Sequence, residues 1–173
     1  LSSAASDVYK RQILYIKNMS DNYSLIIKNG SCYIDGKLIK SDIGLHEHKI
    51  KKIGNIEKNN SKVYDASGKV VLPGIIDTQV HFREPGSTDA EDLESGSRAA
   101  VLGGVTSLFE MPNTNPPTAN LVEFEKKLKA AKNRMHSNYA FYFGATPQNT
   151  EQLAQLKNVE GCCGVKLLSL IHI

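Results

Sequence analysis

Between Tyr23 and Val71 hydrophobic and polar residues alternate with a period close to two. YSLIIKNG, SCYIDGKLI, SDIGLHEHKIKKIG and KVYDASGKVV all read this way, so successive side chains point to opposite faces of short strands. Asn29-Gly30 and Asp35-Gly36 are turn signals, because these residue types tolerate the left-handed backbone of a tight hairpin. The pattern predicts a small antiparallel sheet, with NIEKNNSK as a polar turn.

From Val70 the texture changes. VVLPGIIDTQVHF carries few charges and reads as one strand buried on both faces. AEDLESGSRAAVLGG then has helical spacing, with Leu93, Ser97, Ala100 and Val101 on one side and Gly103-Gly104 as the stop. VTSLFEMP is a second strand, and ANLVEFEKKLKAAKNRM a helix with Leu121, Phe124, Leu128 and Ala131 inward. NYAFYFGAT, NTEQLAQLKN and GCCGVKLL continue as strand, short helix and strand. Repeated βα units call for a parallel sheet, and the spacing leaves a doubly wound sheet and an eightfold barrel both open.

The two ends change which residues count. DVYKRQ at 7–12 and LSLIHI at 168–173 back-translate to a single inverted repeat: GAT GTG TAT AAG AGA CAG has the reverse complement CTG TCT CTT ATA CAC ATC. Residues 1–12 and 168–173 are therefore expected to be translated sequencing adapter and are set aside from fold reasoning. Met19 then becomes a candidate native start, and further native sequence is expected after Leu167. About 155 residues remain, enough for one domain or a small domain with part of another. Setting aside Lys10, Arg11 and Asp7 leaves 19 basic against 17 acidic residues, a net charge of +2. That balance gives no argument for nucleic acid, and no basic stripe with interleaved aromatics occurs. No hydrophobic run approaches the roughly 20 residues that span a bilayer. Cys32, Cys162 and Cys163 make no C-x-x-C pair or disulfide framework, so a reducing, cytoplasmic setting is expected.

Candidate chemistry gathers where the predicted strands end. DTQVHFREPG alternates so that Asp77, Gln79, His81 and Arg83 are expected on one face. Asn113 and Thr114 follow the second strand, and Lys166 ends the fourth. The carboxyl ends of strands are where βα architectures place catalytic groups, although any one of these residues alone also reads as an ordinary loop residue.

Together, PGIIDTQVHFREPG, EDLESGSRAAVLGGVTSLFEMPNTNPPT and GVKL resemble the class I dihydroorotases of the amidohydrolase superfamily. The match runs from Val70 to Leu167. It implies an α/β fold in which residues 70–167 form about the first four strands of a (β/α)8 TIM barrel, preceded over residues 13–69 by a small β-sandwich-type domain. The implied reaction is the reversible interconversion of N-carbamoyl-L-aspartate and dihydroorotate, a step of pyrimidine synthesis. The implied cofactor is zinc, one or two ions, which generates a nucleophile from water near neutral pH.

Carried over residue by residue, the resemblance makes His81 the second histidine of a metal-binding His-x-His. Lys166 takes the place of a lysine that is often carboxylated to hold metal. Arg83 matches the group that grips the substrate carboxylate, and Asn113 its hydrogen-bonding partner; a guanidinium suits bidentate carboxylate binding. Gln79 stands where the first histidine is expected, and a neutral amide oxygen suits hard cations better than zinc. The remaining ligands, and the residues that move protons, are expected beyond Leu167, so this polypeptide alone is expected to be inert.

Two other readings accompany this one: a non-catalytic dihydroorotase-like partner of aspartate transcarbamoylase, and an enzyme for another cyclic ureide, such as a hydantoinase. A small-molecule substrate and a homo-oligomer fit the resemblance; nucleic acid and membrane do not. Three further features read as structural. His46-Glu47-His48 lies in a lysine-rich hairpin and reads as a solvated turn. Cys162 and Cys163 are adjacent on a strand and point to opposite faces. His136 falls near a helix end, where its charge would meet the negative dipole.

Overall fold

The computed structural model describes residues 22–57 and 60–167. The chain divides between Pro73 and Gly74 into two compact units. No helix among the described residues is long and apolar enough to cross a membrane. Residues 1–12 and 168–173, expected to be adapter, and Met19, the candidate native start, lie outside the described residues.

The first unit is one five-stranded sheet of β1 (Leu25–Ile34), β2 (Lys37–His46), β3 (Lys49–Gly54), β4 (Lys62–Asp65) and β5 (Val70–Val71). Its order is β3-β2-β1-β4, with β5 also pairing β1. β1, β2 and β3 form the expected antiparallel meander, but β4 and β5 run parallel to β1. The sheet is thus mixed rather than antiparallel. After β3 the chain crosses to the far side of β1 instead of turning back, and Ile56 anchors the crossing by packing with Tyr23 and Ile26.

Asp35-Gly36 makes the expected turn, with both residues at positive φ. Asn29-Gly30 does not. β1 runs through it, and the pairing with β2 slips between Ile27 and Gly30, a bulge with Asn29 at φ 64°. Asp42 replaces the lost ladder bonds. It is 7% exposed and accepts from the amides of Asn29 (3.0 Å) and Ile56 (3.1 Å), with Lys28 Nζ at 3.1 Å. Burial alone would raise its pKa, yet these donors hold it below the usual carboxylate value.

The second unit runs β6 (Ile75–Val80), α1 (Leu93–Leu102), β7 (Val105–Glu110), α2 (Leu121–Ala131), β8 (Asn138–Gly144), a 3-10 helix (Thr150–Asn158) and β9 (Cys162–Lys166). Its sheet is parallel, in the order β6-β7-β8-β9. VVLPGIIDTQVHF is therefore two strands in two sheets: Pro73 has no amide to give a ladder, and β6 begins only after Gly74.

The core lies between this sheet and its helices. Phe82, Leu93, Leu108, Phe124, Phe141, Phe143 and Leu156 fill it with Ala131. Each buried large side chain contributes about 1.5–3 kcal/mol. α1 starts with a capping box, Asp92 and Ser95 each accepting from the other's amide. It passes over Phe82 at Gly96, where any Cβ would overlap the ring. Leu93 and Ser97 are buried as expected, whereas Val101 is 40% exposed, because the narrow stripe of Leu93, Gly96, Ser97 and Ala100 already fills the contact. On α2, Phe124 and Ala131 are buried as expected. Lys127 is buried too, which the sequence pattern does not predict.

Candidate functional site

The strand ends converge through the register of the parallel sheet. Val80 pairs with Glu110, Glu110 with Phe141 and Gly144 with Lys166. Asp77 pairs with Leu108 and Val80 with Glu110, so β6 carries one extra residue between these rungs. That bulge breaks the alternation. Leu108 and Glu110 both face the helices, and parallel partners share a face. Asp77 is therefore on the helix side, and it does not share the face of Gln79 and His81. Its carboxylate instead accepts from the Gln79 amide at 2.9 Å.

His81 follows the last residue of β6. Its Nδ1 lies 2.9 Å from Asn113 Oδ1, and since an amide oxygen only accepts, Nδ1 carries the proton. In a neutral ring this bond leaves the Nε2 lone pair available, as binding a metal or accepting a proton would require. Asn113 is thus placed at His81. Arg83 is exposed two residues further on, with Phe82 buried between them as the anchor.

The two loops that carry these residues are tied together. Asn115 N donates to Pro85 O (3.0 Å), Thr118 N to Pro112 O (2.9 Å), and Gly144 N to Thr118 O (2.8 Å). Below Arg83, Glu84 binds Arg134 with both oxygens, at 2.7 and 3.0 Å, and accepts from Leu93 N at 3.1 Å. The Arg134 guanidinium holds the Glu84 carboxyl below its ordinary pKa, outweighing burial, with help from the Leu93 amide. FREPG therefore contains one exposed cation, Arg83, and one carboxylate spent on the scaffold. The sequence reading assigned no role to Glu84.

It also missed Glu110 and Lys127. Both side chains are 2% exposed, with Lys127 Nζ 3.1 Å from Glu110 Oε2, although the angles fall outside those of a hydrogen bond. Burial pushes Glu110 up to about 7 against the pull of Lys127, and burial likewise lowers Lys127. The available signal was a lysine at the step between Phe124 and Ala131, on the apolar side of α2.

The Amidohydrolase family profile matches residues 70–163. The chain belongs to the amidohydrolase family. It is similar to the dihydroorotase of Lactobacillus helveticus (strain DPC 4571), 40% identical over 124 residues that cover 72% of this chain and 29% of that protein. It is also similar to the allantoinase of Desulfitobacterium hafniense (strain Y51), 38% identical over 146 residues, 83% of this chain and 32% of the relative. Among solved structures it resembles the L-hydantoinase (dihydropyrimidinase) of Arthrobacter aurescens, with TM-score 0.76 and 30% identity over 83% of this chain and 32% of that one. The amidohydrolase chain thus spans about a third of the length of these relatives.

The described residues of this amidohydrolase chain do not make a complete metal site. His81 is a candidate ligand through Nε2. Gln79 is exposed at the end of β6 and brings only a neutral amide. Lys166 closes β9, its carbonyl accepting from Ala145 N at 2.9 Å. It lies three strands from β6, roughly 14 Å measured along the sheet. Among the described residues no group of three His, Cys, Asp or Glu gathers that could hold a metal ion, His46 and His48 included. Those two sit at the end of β2 and in the turn after it. His136 is exposed beyond the end of α2. Cys162 packs on the core, and Cys163 is the unpaired bulge residue between the Phe141–Cys162 and Tyr142–Gly164 rungs. Burial, then its neighbour Cys162, pushes the Cys163 thiol up to about 11.

Proposed function

We propose that this chain is part of a dihydroorotase, an enzyme that interconverts N-carbamoyl-L-aspartate and dihydroorotate. The observation that carries the reading is the strand-end group of His81, held in its Nδ1–H form by Asn113, beside an exposed Arg83. Kinship to dihydroorotases at 40% identity supports it. Arg83 binds the substrate carboxylate through two parallel N–H donors, and Asn113 keeps the lone pair of His81 Nε2 aimed out of the strand end.

Zinc, in this reading, belongs to the longer protein. It would supply an activated water, and this chain contributes one imidazole to its binding, with Lys166 as a second candidate after carboxylation. The four-stranded parallel sheet is read as part of a (β/α)8 barrel, and the five-stranded sheet as part of a β-sandwich-type domain. Three cysteines without disulfides fit a cytoplasmic setting.

The similarity to an L-hydantoinase favours a second reading, a hydrolase for another cyclic ureide. Assay of the longer protein on dihydroorotate and hydantoin separates the two. The dihydroorotase reading expects turnover of dihydroorotate, and expects Arg83→Ala to lower its kcat/KM by about 30- to 100-fold, or about 2–3 kcal/mol. Turnover of hydantoin alone, insensitive to Arg83→Ala, would refute it. Gln79→His should raise the zinc retained after dialysis, read by metal analysis.

A further inference from the structure

The Glu110–Lys127 pair is unexplained by stability. Two charges at 2% exposure are costly to desolvate, and an apolar pair of similar volume is often as stable or more so. Nor do hydrogen bonds compensate: Glu110 Oε1 and Oε2 and Lys127 Nζ are all buried without one; the lysine also lies 5.4 Å from the Phe141 ring centroid and feels the more distant charge of Glu84.

Its position is informative. Glu110 is the last residue of β7 and pairs with Val80, the residue before His81. The next amide, Met111 N, makes the rung to Val80 O at 2.9 Å, and the chain then turns through Pro112 to Asn113. A one-residue slip of β7 would send Phe109 toward the helices and Glu110 to the opposite face. Apolar packing tolerates such a slip, because Phe109 would fill the space. The ion pair does not, because Lys127 would lose the carboxylate 3.1 Å from its Nζ.

We propose that Glu110 and Lys127 are positioning residues for the candidate site, locking the end of β7 to α2 so that Asn113 meets His81 Nδ1. This rests on reading His81 and Asn113 as site residues. It does not depend on which cyclic amide is hydrolysed, because its readout needs neither metal nor substrate.

The test uses the whole 173-residue chain labelled with 15N-histidine. Long-range proton–nitrogen NMR near pH 8 gives the tautomer of each imidazole, and a His81→Gln sample assigns the His81 signals. The parent chain should show His81 in the Nδ1–H form. The near-isosteric double variant Glu110→Gln/Lys127→Met should keep the melting temperature within a few degrees, while His81 loses at least half of its Nδ1–H population. An unchanged tautomer in a folded double variant overturns the proposal. If the double variant does not fold, Glu110→Gln alone carries the same readout, since Lys127 can shed its proton. Lys127→Arg, which keeps the pair, should retain the parent tautomer.

Discussion

Replacing Glu84 by glutamine tests the carboxylate that ties FREPG to the scaffold. The side chain is 16% exposed and Arg134 36%, and three donors converge on it, two guanidinium N–H groups and the Leu93 amide. Glutamine keeps one acceptor oxygen and turns an NH2 group toward the guanidinium. A hydrogen bond to a charged group contributes about 1.5–3 kcal/mol. The partial exposure of Arg134 pulls its share toward the low end, so about 2–3 kcal/mol is expected in all. The chain has no tryptophan, so unfolding in urea is best followed by circular dichroism at pH 7. With a slope of about 1–3 kcal/mol per molar, the midpoint of the second unit should fall by roughly 1 M. The pH dependence has a definite sign. Glu84 titrates lower in the folded chain than in the unfolded one, so its contribution is complete above the unfolded value of about 4.3 and fades as pH drops through the folded value. The gap between parent and variant should close in acid. A gap under about 0.5 kcal/mol at pH 7, or one unchanged at pH 3, would refute the assignment.

Phe124→Ala removes a fully buried ring that meets Phe141 edge-on at 6.4 Å; a loss of about 3–5 kcal/mol is expected in urea titration. Asp42→Asn leaves Lys28 without its counter-charge and weakens the bond to one of two buried amides, a cost of about 2–4 kcal/mol, seen first as faster hydrogen exchange at Asn29 and Ile56. Cys163 should react with iodoacetamide far more slowly than an ordinary thiol at pH 8 and accelerate toward pH 11, measured by peptide mass spectrometry. Reaction at the ordinary rate at pH 8 would contradict a thiol pushed up to about 11.

The βα alternation after Gly74 was legible because helix and strand have different hydrophobic periods, and both helices start at side-chain caps, Asp92 and Asn120. Bulges were not legible. Asn29-Gly30 has the composition of a hairpin turn and becomes a kink in one strand, because Asp42, distant in sequence, supplies the missing acceptors. Asp77 left the predicted face for a similar reason, since the extra residue in β6 shows only in the pairing with β7. At the candidate site, the motifs single out His81, Arg83 and Asn113 as candidates. They do not reveal the contact of Asn113 with His81, because it depends on how two loops are tied across the sheet. Glu84, Glu110 and Lys127 escaped because charged residues are expected to face water, and these are held by partners 50 and 17 positions away.

The order β6-β7-β8-β9 has a consequence for how the chain is made. Each strand pairs with its predecessor, so every rung closes a segment of roughly 20–30 residues, and the entropic cost of closure changes little from one step to the next. During synthesis each strand therefore finds its partner already present. The loop bearing His81 and Arg83 can be braced by the loop bearing Asn113 once α2 has left the ribosome, and the bond from Gly144 to Thr118 is added when β8 follows. The His81–Asn113 contact at these strand ends is a property of contiguous sequence, formed by local pairing with low contact order.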